Sequence, residues 1–158
     1  AGVPDIRGVY LPPPAQRFMI VVSIKHRYPG HAKQAALVAC QCQAGAYLGR
    51  YVVVVDEDID ITDLNEVVWA MATRSDPATS VDILRRTWSG PLDPIIQPGQ
   101  KGHNSRMIIE AVRPYEWRDR FPAISAISDE TRDKFSRKWE KQLAGAQVRH
   151  SRSRFDQE

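Results

Sequence analysis

The chain has 158 residues, 42% of them apolar and 26% charged, with a formal net charge of +3. These are the proportions of an ordinary globular domain with a real core, and they exclude a wholly disordered chain. The apolar run at residues 18–22 is far too short to span a bilayer, and no charged-then-apolar leader opens the sequence.

The first 16 residues hold Gly2, Pro4, Gly8 and the run Pro12-Pro13-Pro14. Consecutive prolines disfavour helix and central strand alike, so residues 1–16 read as an extended linker. Residues 17–25, RFMIVVSIK, predict a buried strand that Tyr28-Pro29-Gly30 ends. Residues 31–47 predict a helix whose small side chains let it lie close to a sheet or a ligand. Residues 50–55, RYVVVV, predict a second strand, buried on both faces. The run Asp56-Glu57-Asp58-Ile59-Asp60 ends it. The next helix is expected to be capped by Asp60 or Thr62, with Leu64, Val67, Val68 and Met71 on one face, and to stop at Asp76-Pro77.

Residues 80–84 predict a third strand. Residues 87–105, rich in Gly and Pro, predict a long loop of the kind that carries function. Residues 106–112, RMIIEAV, predict a fourth short strand or a helix turn. Pro114 and Pro122 bracket an irregular stretch. Ser128 caps a last helix, taken as residues 128–145. Its narrow stripe of Phe135, Trp139 and Leu143 calls for a partner surface, either a neighbouring subunit or the domain's own sheet. Residues 146–158 form a polar tail with Arg149, His150, Arg152 and Arg154, expected to be inert. The alternation predicts an α/β fold: a layered sheet with adjacent parallel strands flanked by helices, plus a protruding C-terminal helix.

Catalytic signatures are sparse. The sequence contains no phosphate-binding P-loop, no dinucleotide fingerprint and no nucleophile elbow. The acidic run lies where open α/β sheets place ligands, but a helix-capping role is favoured over Mg²⁺. Cys40 and Cys42 lack a second Cys/His pair for zinc, so no metal is assigned; in a chain without a leader they fit a reducing, cytoplasmic setting. His31 reads as structural, at the turn before a helix. The basic tail has no interleaved aromatic residues and the acidic run would repel phosphates, so nucleic acid is not an expected partner. No membrane is expected either.

Four strings carry a resemblance. They are Val21-Val22-Ser23-Ile24-Lys25 with Arg27-Tyr28-Pro29-Gly30-His31-Ala32-Lys33-Gln34; residues 51–77, YVVVVDEDIDITDLNEVVWAMATRSDP; Trp88-Ser89-Gly90-Pro91-Leu92-Asp93-Pro94; and Arg106-Met107-Ile108-Ile109-Glu110-Ala111. In order and spacing they resemble the C-terminal region of the UbiD-like decarboxylases over most of residues 1–143.

The resemblance implies a carboxy-lyase that reversibly decarboxylates small aromatic or α,β-unsaturated acids. It implies prenylated FMN held with a divalent metal (Mn or Mg) and K. It places the flavin, the metal and a Glu-Arg-Glu proton-transfer set mainly on a domain this sequence lacks. This chain alone is therefore expected to be inactive and to need the rest of a parent enzyme or a larger subunit. Residues 17–127 would be the C-terminal domain, and 128–145 a helix for homo-oligomer contact through Phe135, Trp139 and Leu143. Ala44 and Tyr47 are expected against the flavin. Tyr47, Leu48, Gly90, Pro91 and Leu92 are expected around the substrate.

Four departures stand out. Ala44 replaces a Lys or Arg that meets the flavin phosphate in relatives, and Arg50 is one candidate to replace it. Arg106 and Glu110 replace Lys and Asp, keeping the charge. Gly90 replaces a bulky aromatic, which suggests a roomier pocket. The alternative is an assembly module that keeps the fold without the chemistry.

Overall fold

The computed structural model describes residues 2–100, 102–125 and 127–143. They divide into two compact units, Ala1–Phe121 and Pro122–Glu158. The first is built on a five-stranded sheet in the order β1-β2-β3-β5-β4: β1 Ile6–Tyr10, β2 Met19–Ile24, β3 Tyr51–Asp56, β4 Val81–Trp88 and β5 His103–Ala111. The three central strands, β2, β3 and β5, are parallel, and the two edge strands run antiparallel to them. The expected parallel neighbours are therefore present.

The unbroken Val52–Val55 run has its explanation in this order. β3 is central and covered on both faces, and all four valines are buried. On one face Ile20, Val22, Val52, Val54 and Ile108 pack against helix α1, His31–Gln41, through Ala32, Ala35, Ala36 and Cys40. The alanines let the helix lie low on the sheet. Fully burying each valine contributes about 1.5–3 kcal/mol. Strand alternation turns Val53, Val55 and Ala111 to the opposite face. Helix α3, Leu64–Arg74, packs on β3 and β5 and buries Val67 and Ala70.

Several expectations are revised. Residues 6–10 form a strand, not linker: β1 pairs with β2 through Val9↔Val22 and Tyr10↔Val21, and the prolines follow it in a 3₁₀ turn, Pro13–Ala15. The single helix over 31–47 is two, α1 and the short α2, Gln43–Ala46, because Cys42 is extended with φ −63° and ψ 154°. The cap of α3 is Asp63, whose carboxylate accepts from Asn65 N at 2.8 Å. Asp60 instead holds the preceding turn, accepting from Thr62 N at 2.9 Å. Val68 is 58% exposed, so the inward face of α3 is Val67, Ala70 and Arg74 rather than Leu64, Val67, Val68 and Met71. Residues 81–84 and 106–111 are parts of longer strands, and the loop between those strands shrinks to residues 89–102. Edge strand β4 carries a bulge between Leu84 and Thr87, with Arg86 at φ 60°. Its exposed Arg85 and Arg86 disfavour pairing with another sheet.

The second unit contains α4, Asp129–Leu143. Ser128 caps it as expected, its hydroxyl accepting from Thr131 N at 3.3 Å. Phe135 and Trp139 are 55% and 44% exposed. The side chain of Leu143 and the tail from residue 146 lie outside the described residues. No described helix is long and apolar enough to cross a membrane.

Candidate functional site

The acidic run is a structural cluster. Asp56 accepts from Arg74 Nη1 at 2.8 Å and from the Arg113 backbone N–H at 2.8 Å. Asp58 takes both Arg74 Nη1 and Nη2 at 2.8 Å. Burial alone would raise the Asp58 carboxyl pKa, but the Arg74 hydrogen bonds and charge, with Arg113, hold it below the ordinary value. These carboxylates join the β3 end to α3 and to the chain after β5. Among the described residues no three His, Cys, Asp or Glu side chains gather as a metal-holding group.

The ring of His31 is likewise committed. Its Nδ1 accepts from Arg27 N at 3.3 Å, and its Nε2 lies 3.0 Å from Pro4 O, an arrangement in which Nε2 carries the proton. Lys33 pairs with Asp82 and with Glu110 at 2.6 Å, tying α1 to β4 and β5.

The expected pocket residues gather around two chain segments that touch, the end of α2 and the loop after β4. Gly90 N donates to Tyr47 O at 2.7 Å. The Tyr47 and Trp88 rings have centroids 6.1 Å apart. Tyr47 is half-buried, Ala44, Pro91 and Leu92 are exposed, and Leu48 is buried in the core. Leu92 is 69% exposed, an apolar side chain held at the surface.

Gly90 has a reason other than pocket space. A Cβ there would lie 2.7 Å from Tyr47 Cε2 and 2.9 Å from Tyr47 O, so glycine is what allows the two segments to meet. That contact replaces the reading of a roomier pocket.

Two buried charged groups that the sequence reading left without a role hold these segments. Arg106 lies beneath them, fully buried, donating to Gly45 O at 3.3 Å and to Ala46 O and Trp88 O. Its fork thus joins both walls, a function a lysine's point charge performs less well. Burial pulls its pKa below the ordinary arginine value. Asp93 is the second, with a side chain 0% exposed. It accepts from Asn104 Nδ2 at 2.6 Å, Ser89 Oγ at 3.1 Å, Ile95 N at 3.2 Å and Arg50. Burial works to raise its pKa, but Asn104, the Ile95 N–H, Arg50 and Ser89 outweigh it. The sequence hint was Asp93-Pro94 in a Gly/Pro-rich loop, where an Asx turn is natural.

This geometry commits Arg50 to Asp93. Arg17 instead sits beside Tyr47, its guanidinium carbon 5.8 Å from the ring centroid. Arg17, Ala44 and Gly45 also line an apolar groove of about 330 Å³ between β1 and α1.

Comparison with known proteins places this geometry in context. Residues 1–111 match the model of the 3-octaprenyl-4-hydroxybenzoate carboxy-lyase C-terminal domain. The UbiD-class enzyme HmfF from Pelotomaculum thermopropionicum, in complex with FMN, matches over 81% of this chain and 28% of its own, at 33% identity and a TM-score of 0.69. The open form of vanillic acid decarboxylase from Sedimentibacter hydroxybenzoicus matches over 92% of this chain and 31% of its own, at 28% identity and a TM-score of 0.69. An evolved dimeric form of HmfF in complex with prFMN matches over 78% and 24%, at 31% identity and a TM-score of 0.59. The chain thus spans less than a third of the length of these structures.

Proposed function

This chain belongs to the family of UbiD carboxy-lyase C-terminal domains, and from that premise we propose that it forms one wall of a prenylated-FMN-dependent decarboxylase. The substrate class is a small aromatic or α,β-unsaturated acid. The flavin, a divalent metal (Mn or Mg), K and the proton-transfer residues are held mainly by the rest of the parent enzyme or by a larger subunit. The domain is the unit Ala1–Phe121, which takes in β1, and α4 supplies the oligomer helix.

The observation that carries this reading is the junction of Tyr47 with Gly90. It brings an aromatic ring and an apolar loop to one surface, and two buried polar anchors, Arg106 and Asp93, hold that surface in place. When bound, prenylated FMN supplies the electron sink for the pair left behind as CO₂ departs. Tyr47 and Ala44 face the flavin. Gly90, Pro91 and Leu92 cover the substrate and exclude water, which protects developing carbanion character from an early proton. Leu48 supports Tyr47 from the core side. Phe135, Trp139 and Leu143 serve contact between copies of the parent, and the exposure of Phe135 and Trp139 supports that role.

The test is reconstitution. The flavin-binding region with this chain, joined or mixed, should release CO₂ from aromatic acids, and Leu92→Asp should lower the turnover. Equal CO₂ release with and without this chain would refute the role, and activity of this chain alone would refute the division of labour.

A further inference from the structure

His26 follows the end of β2 and is only 8% exposed. Its Nδ1 finds no hydrogen-bond partner among the described residues. The chemistry proposed above gives this ring no task. The ring of His31, at the start of α1, lies 6.1 Å away between centroids, and both of its nitrogens are engaged. The ring of Tyr115 lies closer, at 5.3 Å and tilted by 56°. Arg118 donates from Nη1 to the His26 carbonyl at 2.8 Å, and its guanidinium carbon is 5.3 Å from the Tyr115 centroid.

Tyr115 and Arg118 belong to one short segment, the 3₁₀ strap Tyr115–Arg120, none of whose residues is buried. Within it Trp117 leaves helical dihedrals, with φ −140° and ψ 22°. A strap with no buried side chain opens at lower cost than α1 or the sheet, which hold the core. It is the part of the cover over His26 that can lift.

The surroundings favour a neutral ring. Asp56 faces it from β3, His31 from α1, Arg118 from the strap, and the Arg113 backbone from the chain after β5. Asp56 already serves Arg74 and Arg113. Burial is the largest influence and holds the His26 pKa below 6.5, with His31 and Arg118 adding to it and Asp56 and Arg113 opposing. An imidazolium needs acceptors for two N–H groups, and Nδ1 has none while the strap is closed.

We propose that His26 and the strap form a proton-operated latch: the neutral ring packs under a closed strap, and a proton taken up at Nδ1 is accommodated by the strap lifting and admitting water. The latch lies wholly within the first unit and is independent of the flavin-wall reading.

The test follows the full chain by NMR, through the His26 ring protons and the amide exchange of Trp117 and Phe121, whose N–H groups donate to Pro114 O at 3.3 Å and Arg118 O at 3.1 Å. With the intrinsic pH dependence of exchange divided out, their protection should fall by up to about tenfold per pH unit as pH drops from 6.5 to the folded titration midpoint, because opening takes up one proton. The amides of Val52–Val55 should stay protected. His26→Gln, which does not titrate in this range, should make strap protection independent of pH. Tyr115→Ala removes cover without removing a charge, and by reciprocal linkage it should move the His26 midpoint up toward 6.5. An unmoved midpoint in Tyr115→Ala would overturn the latch. So would a parallel loss of protection in the strap and in β3, which would make the titration one of global unfolding.

Discussion

Asp93→Ala removes the carboxylate on which four donors converge: Asn104, Ser89, the Ile95 N–H and Arg50. Removing one partner of a fully buried ion pair costs about 3–5 kcal/mol. Arg50 keeps some access to water, with 23% of its side chain exposed, which places the expected loss near the lower end, about 3 kcal/mol. Against a total stability of about 5–15 kcal/mol this is large. A domain of this size loses roughly 2–4 °C per kcal/mol, so the melting temperature should fall by roughly 6–12 °C. Circular dichroism melts and urea titrations of the chain measure it. Asp82→Asn is the control. Its pair with Lys33 is solvent-accessible and Glu110 remains for the lysine, so the loss should stay within about 1 kcal/mol. If Asp93→Ala melted together with Asp82→Asn, the buried-anchor reasoning would be wrong.

Gly90→Ala places a methyl group against Tyr47 and its carbonyl, and should cost about 1–3 kcal/mol by overpacking; an unshifted urea midpoint would remove the close-approach argument. Trp139→Glu should lower the mass of the complete enzyme's oligomer in light scattering, and an unchanged mass would remove the α4 stripe as a contact. His26 is buried, with Nδ1 finding no hydrogen-bond partner among the described residues, and burial pulls its pKa below 6.5. The unfolded chain therefore binds the proton more readily, so stability is complete above 6.5 and is lost as pH falls through that value toward the folded one. His26→Gln should flatten this slope in urea titrations at stepped pH, and a slope unchanged in the variant would exonerate His26. Asp58 and Asp93 are depressed below 3.8, so a second loss should set in as pH falls below that unfolded value and through the folded ones. Asn replacements at both positions should weaken this acid-side loss.

The elements whose residues speak through burial were legible. Val52–Val55 announced a central strand because both its faces are covered, and the alanines of α1 announced a close-lying helix. β1 was hidden because its strand pattern is short, carries Gly8 at its middle and sits beside prolines that belong to the following turn. The break at Cys42 was hidden because nothing in its side chain demands an extended backbone; the sharp turn it makes needs Gly45, where a Cβ would meet Ala39 O at 1.8 Å. The candidate site divided in the same way. Tyr47 and Gly90 stood out through resemblance and proved to be in contact. Arg106, and Asp93 in its contacts with Arg50 and Asn104, act through partners 11 to 61 residues away, and no local spacing shows that kind of relation.

Arg106 has a consequence for how such a protein can change over generations. One guanidinium holds carbonyl oxygens from the α2 end and from the β4 end. The wall proposed to face the cofactor and the wall proposed to face the substrate are thereby latched to one peg. A backbone shift selected to admit a new acid on the loop side would drag the other side with it. Diversification at such a site should run through exposed side chains, such as Leu92, that can be exchanged without moving either carbonyl. The segments beneath them should stay in place while specificity changes above.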